Sequence, residues 1–124
     1  VVVGNNTNGD GVIMGTGANN ISTGNGEGAE QVATRTVAAN VSTVAADVVI
    51  LVNTAAARTI TLATASVSEG RKLTIKDSTG GATANNITID TQGAELIDGL
   101  ATKVLALNYA SATLVSDGTN WFTI

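Results

Sequence analysis

From residue 32 onward, apolar and polar positions alternate in short runs separated by turn residues. In Arg58-Thr59-Ile60-Thr61-Leu62, Ile60 and Leu62 fall on one face and the threonines on the other, the period of a half-buried strand. Arg71 to Asp77 repeats the device with Leu73 and Ile75 inward, and Asn86 to Asp90 with Ile87 and Ile89. Thr34 to Val37 is β-rich, and Val48 to Val52 is a continuous apolar run whose pattern predicts burial on both faces. Further strands are expected at Glu95 to Asp98, at Thr102 to Asn108 with Leu105 and Leu107 on one face, at Ser111 to Ser116 and at Asn120 to Ile124.

The punctuation is turn chemistry: Asp77-Ser78-Thr79-Gly80-Gly81, Asp98-Gly99 and Asp117-Gly118. Roughly eight or nine short strands at intervals of about ten residues give the cadence of an all-β fold. The expectation is a short-stranded antiparallel sandwich or barrel over 32–124. Thr43 to Asp47 and Ala55 to Ala57 could form helical turns, but β-branched neighbours and short length argue otherwise. No βαβ alternation is present.

Residues 1–31 read differently. They hold eight of the fourteen glycines, three acidic groups and no basic group. Three short segments end in Gly (Val3-Gly4, Met14-Gly15, Thr23-Gly24) and each is followed by an Asn/Gly-rich turn. Such a loose repeat predicts a Gly/Asn-rich extended or β-turn arm, whose units need stacking to bury a face. The competing reading, on composition alone, is a disordered arm.

The chain is 44% hydrophobic, 13% charged and carries a net charge of −4. Ala and Val supply most of the apolar content, which predicts a thin core that leans on packed sheets or neighbouring copies. Arg35, Arg58, Arg71, Lys72, Lys76 and Lys103 are scattered apart from one short cluster, unlike the clustered cations that phosphate binding requires; no nucleic-acid partner is expected. The longest apolar run, Val48 to Val52, is too short to span a bilayer, and no membrane partner is expected. The chain begins with Val1 and shows no signal-peptide pattern, which reads as a processed product or a piece of a longer polypeptide.

Candidate chemistry is sparse. The chain has no His and no Cys, so the usual general base, thiolate nucleophile and disulfide framework are missing. A carboxylate pair could be drawn from Asp90, Glu95, Asp98 or Asp117, but each lies at a strand end or turn, where it is expected for backbone reasons. Asn6, Asn8 and Asp10, with Gly11 for the bend and the apolar Ile13 two further on, follow the opening of a calcium loop. Gly17 stands where a bidentate carboxylate should close the shell, so a plain turn is expected there. Gly80-Gly81 and Gly15-Thr16-Gly17 lack the context of phosphate loops and read as turns. Of Arg71, Lys72 and Lys76, three cations beside one strand, at least two are expected on the solvated face of the sheet. Asn20, Asn40 and Asn86 fit the glycan-acceptor pattern, a weak signal in a chain so rich in Asn and Thr. No catalytic, cofactor or metal residue is assigned.

The only Trp and the only Phe are adjacent, Trp121 and Phe122. A terminal strand would put Trp121 and Thr123 on one side, Phe122 and Ile124 on the other. One ring then plugs the core, while the other marks a subunit contact; the alternative is that both are buried inside one monomer, by a bulge or by a sheet covered on both faces.

Several stretches in fixed order carry a family likeness: "ADVVILV" (Ala46 to Val52), "RTITLA" (Arg58 to Ala63), "RKLTIKDSTGGATANNITI" (Arg71 to Ile89), "IDG" (Ile97 to Gly99) and "YASATLVSDGTNWFTI" (Tyr109 to Ile124). Together, from Thr34 to the C-terminus, they resemble a β-rich module of structural proteins in tailed bacteriophages and other large viruses. That module occurs near the ends of fibre, spike and decoration proteins. Its second motif usually ends in Leu-Pro, and Ala63 departs from this. The arm resembles, more weakly, the repeats of trimeric fibre shafts and adhesin heads. The resemblance implies a non-enzymatic, homotrimeric virion component that contacts other virion proteins and has no catalytic residues. Two alternatives stay open: a carbohydrate-binding module recognising a host surface glycan, and a self-assembling extracellular filament subunit.

Overall fold

The computed structural model of the chain describes residues 31–124. The expected arm, with Asn6, Asn8, Asp10, Gly17 and Asn20, lies outside the described residues apart from Gln31.

Nine strands form among the described residues: β1 (Thr34–Val37), β2 (Val41–Ser42), β3 (Val49–Val52), β4 (Arg58–Leu62), β5 (Lys72–Asp77), β6 (Ile87–Thr91), β7 (Thr102–Leu105), β8 (Ser111–Ser116) and β9 (Trp121–Thr123). A single 3-10 turn, Thr64–Ser66, is the one helical element among the described residues. The all-β expectation holds, and the strands make two sheets, ordered β1-β3-β5-β8-β9 and β2-β4-β6-β7. No barrel closes.

The wiring differs from an antiparallel sandwich. The chain alternates between the sheets from β1 to β6, so β1, β3 and β5 pair in parallel, as do β2, β4 and β6. This is a flattened two-sided coil. Parallel neighbours need a connection of a dozen residues or more, and here the strand in the opposite sheet supplies it. Only the last three strands run antiparallel, with β7 on β6, β8 on β5 and β9 on β8. Alternation along a strand is the same in either arrangement, which is why the sequence pattern did not distinguish them.

The inward faces make one core of Ile50, Ile60, Leu62, Leu73, Ile75, Ile87, Ile89, Ile97, Leu105, Leu114 and Trp121, joined by Val37, Val52 and Ala112. The core is therefore Ile- and Leu-rich, not the thin Ala/Val core that composition suggested. Nearly all the alanines among the described residues sit in connections, including Ala38, Ala39, Ala45, Ala46 and Ala55 to Ala57, all exposed. Val48 to Val52 is likewise buried on one face only: Ile50 and Val52 are fully covered, Val49 and Leu51 half-buried.

Two inner rows of the larger sheet end in a charged residue. Arg35 aligns with Ile50 and Ile75, while Asp77 aligns with Val52 and Val37. Arg35 closes the first-strand end of the core by a two-pronged pairing with Asp47, Nε to Oδ1 and Nη2 to Oδ2, both 2.8 Å. Nη2 also donates to the Ser42 carbonyl at 3.1 Å, tying β1 to β2. The other end is closed by the antiparallel strands and by Ile97, which bridges to Trp121.

Two expected elements are shorter than the pattern implied. Glu95 to Asp98 contributes only isolated bridges at Ile97. β7 stops at Leu105, and Leu107, expected on the same face, is exposed because the chain turns away, Ala110 N–H donating to Leu107 O at 3.0 Å.

Candidate functional site

Two regions gather side chains whose placement exceeds what strand packing requires. The first is the turn after β5. Asp77 is the last residue of that strand and, by alternation from Leu73 and Ile75, it points inward and is fully buried. No cation reaches it among the described residues. Its carboxylate accepts five hydrogen bonds instead. Oδ1 takes the Thr54 hydroxyl at 2.8 Å, Thr79 N–H at 3.1 Å and Gly80 N–H at 2.9 Å. Oδ2 takes Ala82 N–H at 3.1 Å and Tyr109 N–H at 2.9 Å. Burial pushes the Asp77 pKa up, but the donors from Tyr109, Thr54, Thr79 and Ala82 outweigh it and hold the carboxyl well below the usual carboxylate range.

One carboxylate thus fixes three separate segments: the loop after β3 through Thr54, its own turn, and the β7–β8 connection through Tyr109. Thr54 is itself doubly used, accepting from Gly81 N–H at 2.8 Å. The Tyr109 ring lies against Gly80 and is 59% exposed. Lys76 Nζ donates to the Tyr109 carbonyl and stands 5.8 Å from the ring centroid. Asn108 Oδ1 accepts from Thr83 N–H at 2.9 Å.

The second region is the C-terminal strand. Trp121 is fully buried and Phe122 is 41% exposed, the opposite orientations expected for neighbours in one strand. Phe122 lies directly across from Val115 on the outer face of the larger sheet, and Ile124, also exposed, follows on that face beside Thr113. The free edge of β9 is occupied. Trp121 N–H donates to Leu96 O at 2.8 Å and Asp98 N–H to Trp121 O at 3.0 Å, while the Asp98 carboxylate takes Thr123 N–H at 3.0 Å and the Thr123 hydroxyl. Those two Thr123 donors and the nearby Lys103 charge lower the Asp98 pKa. The residue can reach this edge because Ile97 to Leu100 is a two-residue hairpin with left-handed φ at Asp98 (+52°) and Gly99 (+83°), the turn that Asp-Gly favours.

The remaining sequence candidates are dispersed. Asp117 caps its own turn through Thr119 and Asn120 N–H, both 2.8 Å, which lowers its pKa. Asp90 accepts from Thr91 N–H. Glu95 accepts from Gly93 N–H and, with Thr64, Thr119 and Asn120, lines a shallow cleft of about 390 Å³. None of the four carboxylates hydrogen-bonds another among the described residues. Arg71 donates to Val44 O, whereas Lys72 and Lys76 lie out of phase with Leu73 and Ile75, on the outer face. Asn40 and Asn86 hold backbone partners, at Thr59 N–H and Ala82 O. Among the described residues no group of three or more His, Cys, Asp or Glu side chains is placed to hold a metal, and no helix is long and apolar enough to cross a membrane.

Sequence reasoning did not single out Tyr109 or the Arg35–Asp47 pair. For Tyr109 the available signal was Asn108, a turn former interrupting the Leu105/Leu107 alternation. For the pair there was none, since its members meet only once the coil is wound. No protein-family model and no characterised protein matches this chain.

Proposed function

We propose that the chain is a non-enzymatic structural module that assembles with copies of itself, as a homotrimer, in a virion fibre, spike or capsid decoration layer. The observation that carries this reading is the strip Val115, Phe122 and Ile124 on the outer face of the larger sheet, an aromatic ring and an Ile left in water beside a half-buried Val. Apolar mass so placed is the usual mark of a subunit contact. Because Asp98 and Leu96 occupy the β9 edge beside it, copies meet there by packing faces, not by adding strands. The ordered series of phage-like motifs from Ala46 to Ile124 supports the virion setting, and virion location and contacts to other virion proteins follow from it.

Light scattering on the full chain tests the reading. A closed trimer, three times 12.3 kDa, is expected, with Phe122→Ser shifting the mass toward the monomer. Polymers that lengthen with concentration favour the filament subunit. A monomer at all concentrations removes the proposal.

A further inference from the structure

A ring of three copies closes through heterologous contacts, in which one patch meets a different patch of the next copy. The strip of Val115, Phe122 and Ile124 is one patch, and the fold carries a second apolar surface at the far edge of the same sheet. In the larger sheet β1 and β9 are the outermost strands, four strand spacings or roughly 19 Å apart. The Phe122 ring does not reach the β1 edge of its own chain.

Beside β1 lies a cleft of about 290 Å³ whose lining includes Ala33, Val44, Ala46 and Val48, together with Arg35 and Asp47. Val44 and Val48 are exposed, as is Val32 just before Ala33. A cavity of roughly 150 Å³ already holds a benzene ring, so this cleft has room for one aromatic side chain. Its walls are fixed. Val44 sits on a turn closed by Asp47 N–H donating to Val44 O at 3.0 Å and Val44 N–H donating to Asp47 Oδ2 at 2.8 Å. Arg71 donates to the same Val44 carbonyl at 3.0 Å. An apolar side chain kept half in water on a turn pinned from three sides is ordered before any partner arrives, which is what a preorganised contact requires. Asp47 also grips the Arg35 guanidinium through two atoms, and a guanidinium held in one plane is a wall on which an aromatic ring stacks.

We propose that this cleft seats Phe122 of a second copy, so that copies join head to tail, the β9 edge of one against the β1 edge of the next. The inference rests on the self-assembly proposed above and adds the surface that receives the strip. Each chain then carries one ring and one seat, at opposite edges of one sheet, the arrangement a repeating heterologous contact needs.

Light scattering on the full chain, with Val44→Asp and Ala46→Gln beside Phe122→Ser, tests the contact. Val44→Asp places a second carboxylate beside Asp47, and Ala46→Gln fills the cleft from an exposed turn position. A folding fault in one, read from its Tm, leaves the other to decide. Each is expected to weaken self-association by roughly tenfold or more, the effect of losing one buried anchor. Mixing is the sharper arm. Phe122→Ser keeps the seat and Val44→Asp keeps the ring, so the two together should form a dimer, twice 12.3 kDa, and nothing larger, while each alone stays monomeric. Full assembly of both cleft variants under conditions that dissociate Phe122→Ser would overturn the seat and leave assembly through the strip standing. A mixture that stays monomeric far above the concentrations that assemble the parent would also overturn it. A parent that is itself a monomer removes the reading beneath it.

Discussion

The Thr54 hydroxyl donates to Asp77 Oδ1 at 2.8 Å across 23 residues of chain, and both side chains are buried. This bond joins the loop after β3 to the turn after β5, two successive windings of the coil. The same carboxylate collects four backbone N–H groups, that of Ala82 buried and those of Thr79, Gly80 and Tyr109 part-buried. Removing it therefore orphans several donors at once. Asp77→Ala is expected to cost about 3–5 kcal/mol, and Asp77→Asn about 2–4 kcal/mol, because its amide NH2 meets N–H donors where an oxygen stood. Thr54→Val, which loses one donor and one acceptor, should cost about 1–3 kcal/mol. Urea unfolding of the three variants checks the ranking.

Acid stability follows from the same group. Asp77 has a folded pKa below its unfolded one, so its contribution is fully present above the ordinary carboxylate range and is lost as pH falls below it. Asp47, Asp98 and Asp117 are lowered as well and act with the same sign. The chain has no His to titrate near neutrality. The expected profile is a level Tm between about pH 6 and 8 and a continuous decline below about pH 5. In Asp77→Asn the decline should be visibly shallower. A Tm that rises on acidification would contradict the hydrogen-bonded carboxylate.

The Arg35–Asp47 pair is asymmetric. Asp47 is almost wholly covered, whereas about a third of Arg35 is exposed. Burial pushes the Asp47 pKa up, but the Arg35 guanidinium, Val44 N–H and the Arg71 charge bring it below the ordinary value. Arg35→Met leaves a buried carboxylate without its close counter-ion and should cost about 2–4 kcal/mol. Asp47→Asn frees an arginine that can turn to water and should cost less. The double variant should cost less than the two singles together, a coupling read by a double-mutant cycle.

Strand positions were legible because their side chains alternate. Ile60/Leu62, Leu73/Ile75 and Ile87/Ile89 are inward as the pattern required, and Trp121 and Phe122 face opposite ways. Pairing partners were not legible. Val49 beside Thr74 depends on the chain crossing to the other sheet and back, which alternation does not record. β2 has only two residues, too few for a period. Leu107 continued the alternation of Leu105 past the end of the strand, because the chain turns between Leu107 and Ala110 and Asn108 was the one turn former to mark it. Asp77 was readable as a turn former but not as the hub of three segments, since two of its donors, Thr54 and Tyr109, are 23 and 32 residues away.

The rings of β9 separate stability from assembly. Trp121→Ala empties the largest buried side chain and should cost about 3–5 kcal/mol. The Trp121 Nε1 is buried without a partner among the described residues, so Trp121→Phe also deletes an unsatisfied donor and should cost less than its lost volume implies. Phe122→Ala removes a cross-strand contact with Val115 and should cost about 0.2–1 kcal/mol in the isolated chain. Denaturation at low protein concentration reads these values without association.

Gly80 and Gly81 are neighbours that resist substitution for different reasons. Gly80 has φ +74°, and an added Cβ would strike the Tyr109 ring, a side chain that can move. Gly81 has no left-handed φ, but its Cβ would lie 2.7 Å from both the Thr54 carbonyl oxygen and Oγ1. The backbone of the preceding winding cannot retreat without breaking the Thr54–Asp77 bond. Gly81→Ala should therefore be the more damaging, about 2–4 kcal/mol against about 1–2 kcal/mol for Gly80→Ala. The damage should also differ in kind. In Gly80→Ala, amide exchange at Ala82 should stay slow, because Asp77 still holds that N–H. In Gly81→Ala, exchange at Ala82 should accelerate along with the loss of global stability, because the hub itself is displaced. Equal protection of Ala82 in both variants would show that the two windings are not coupled through Thr54.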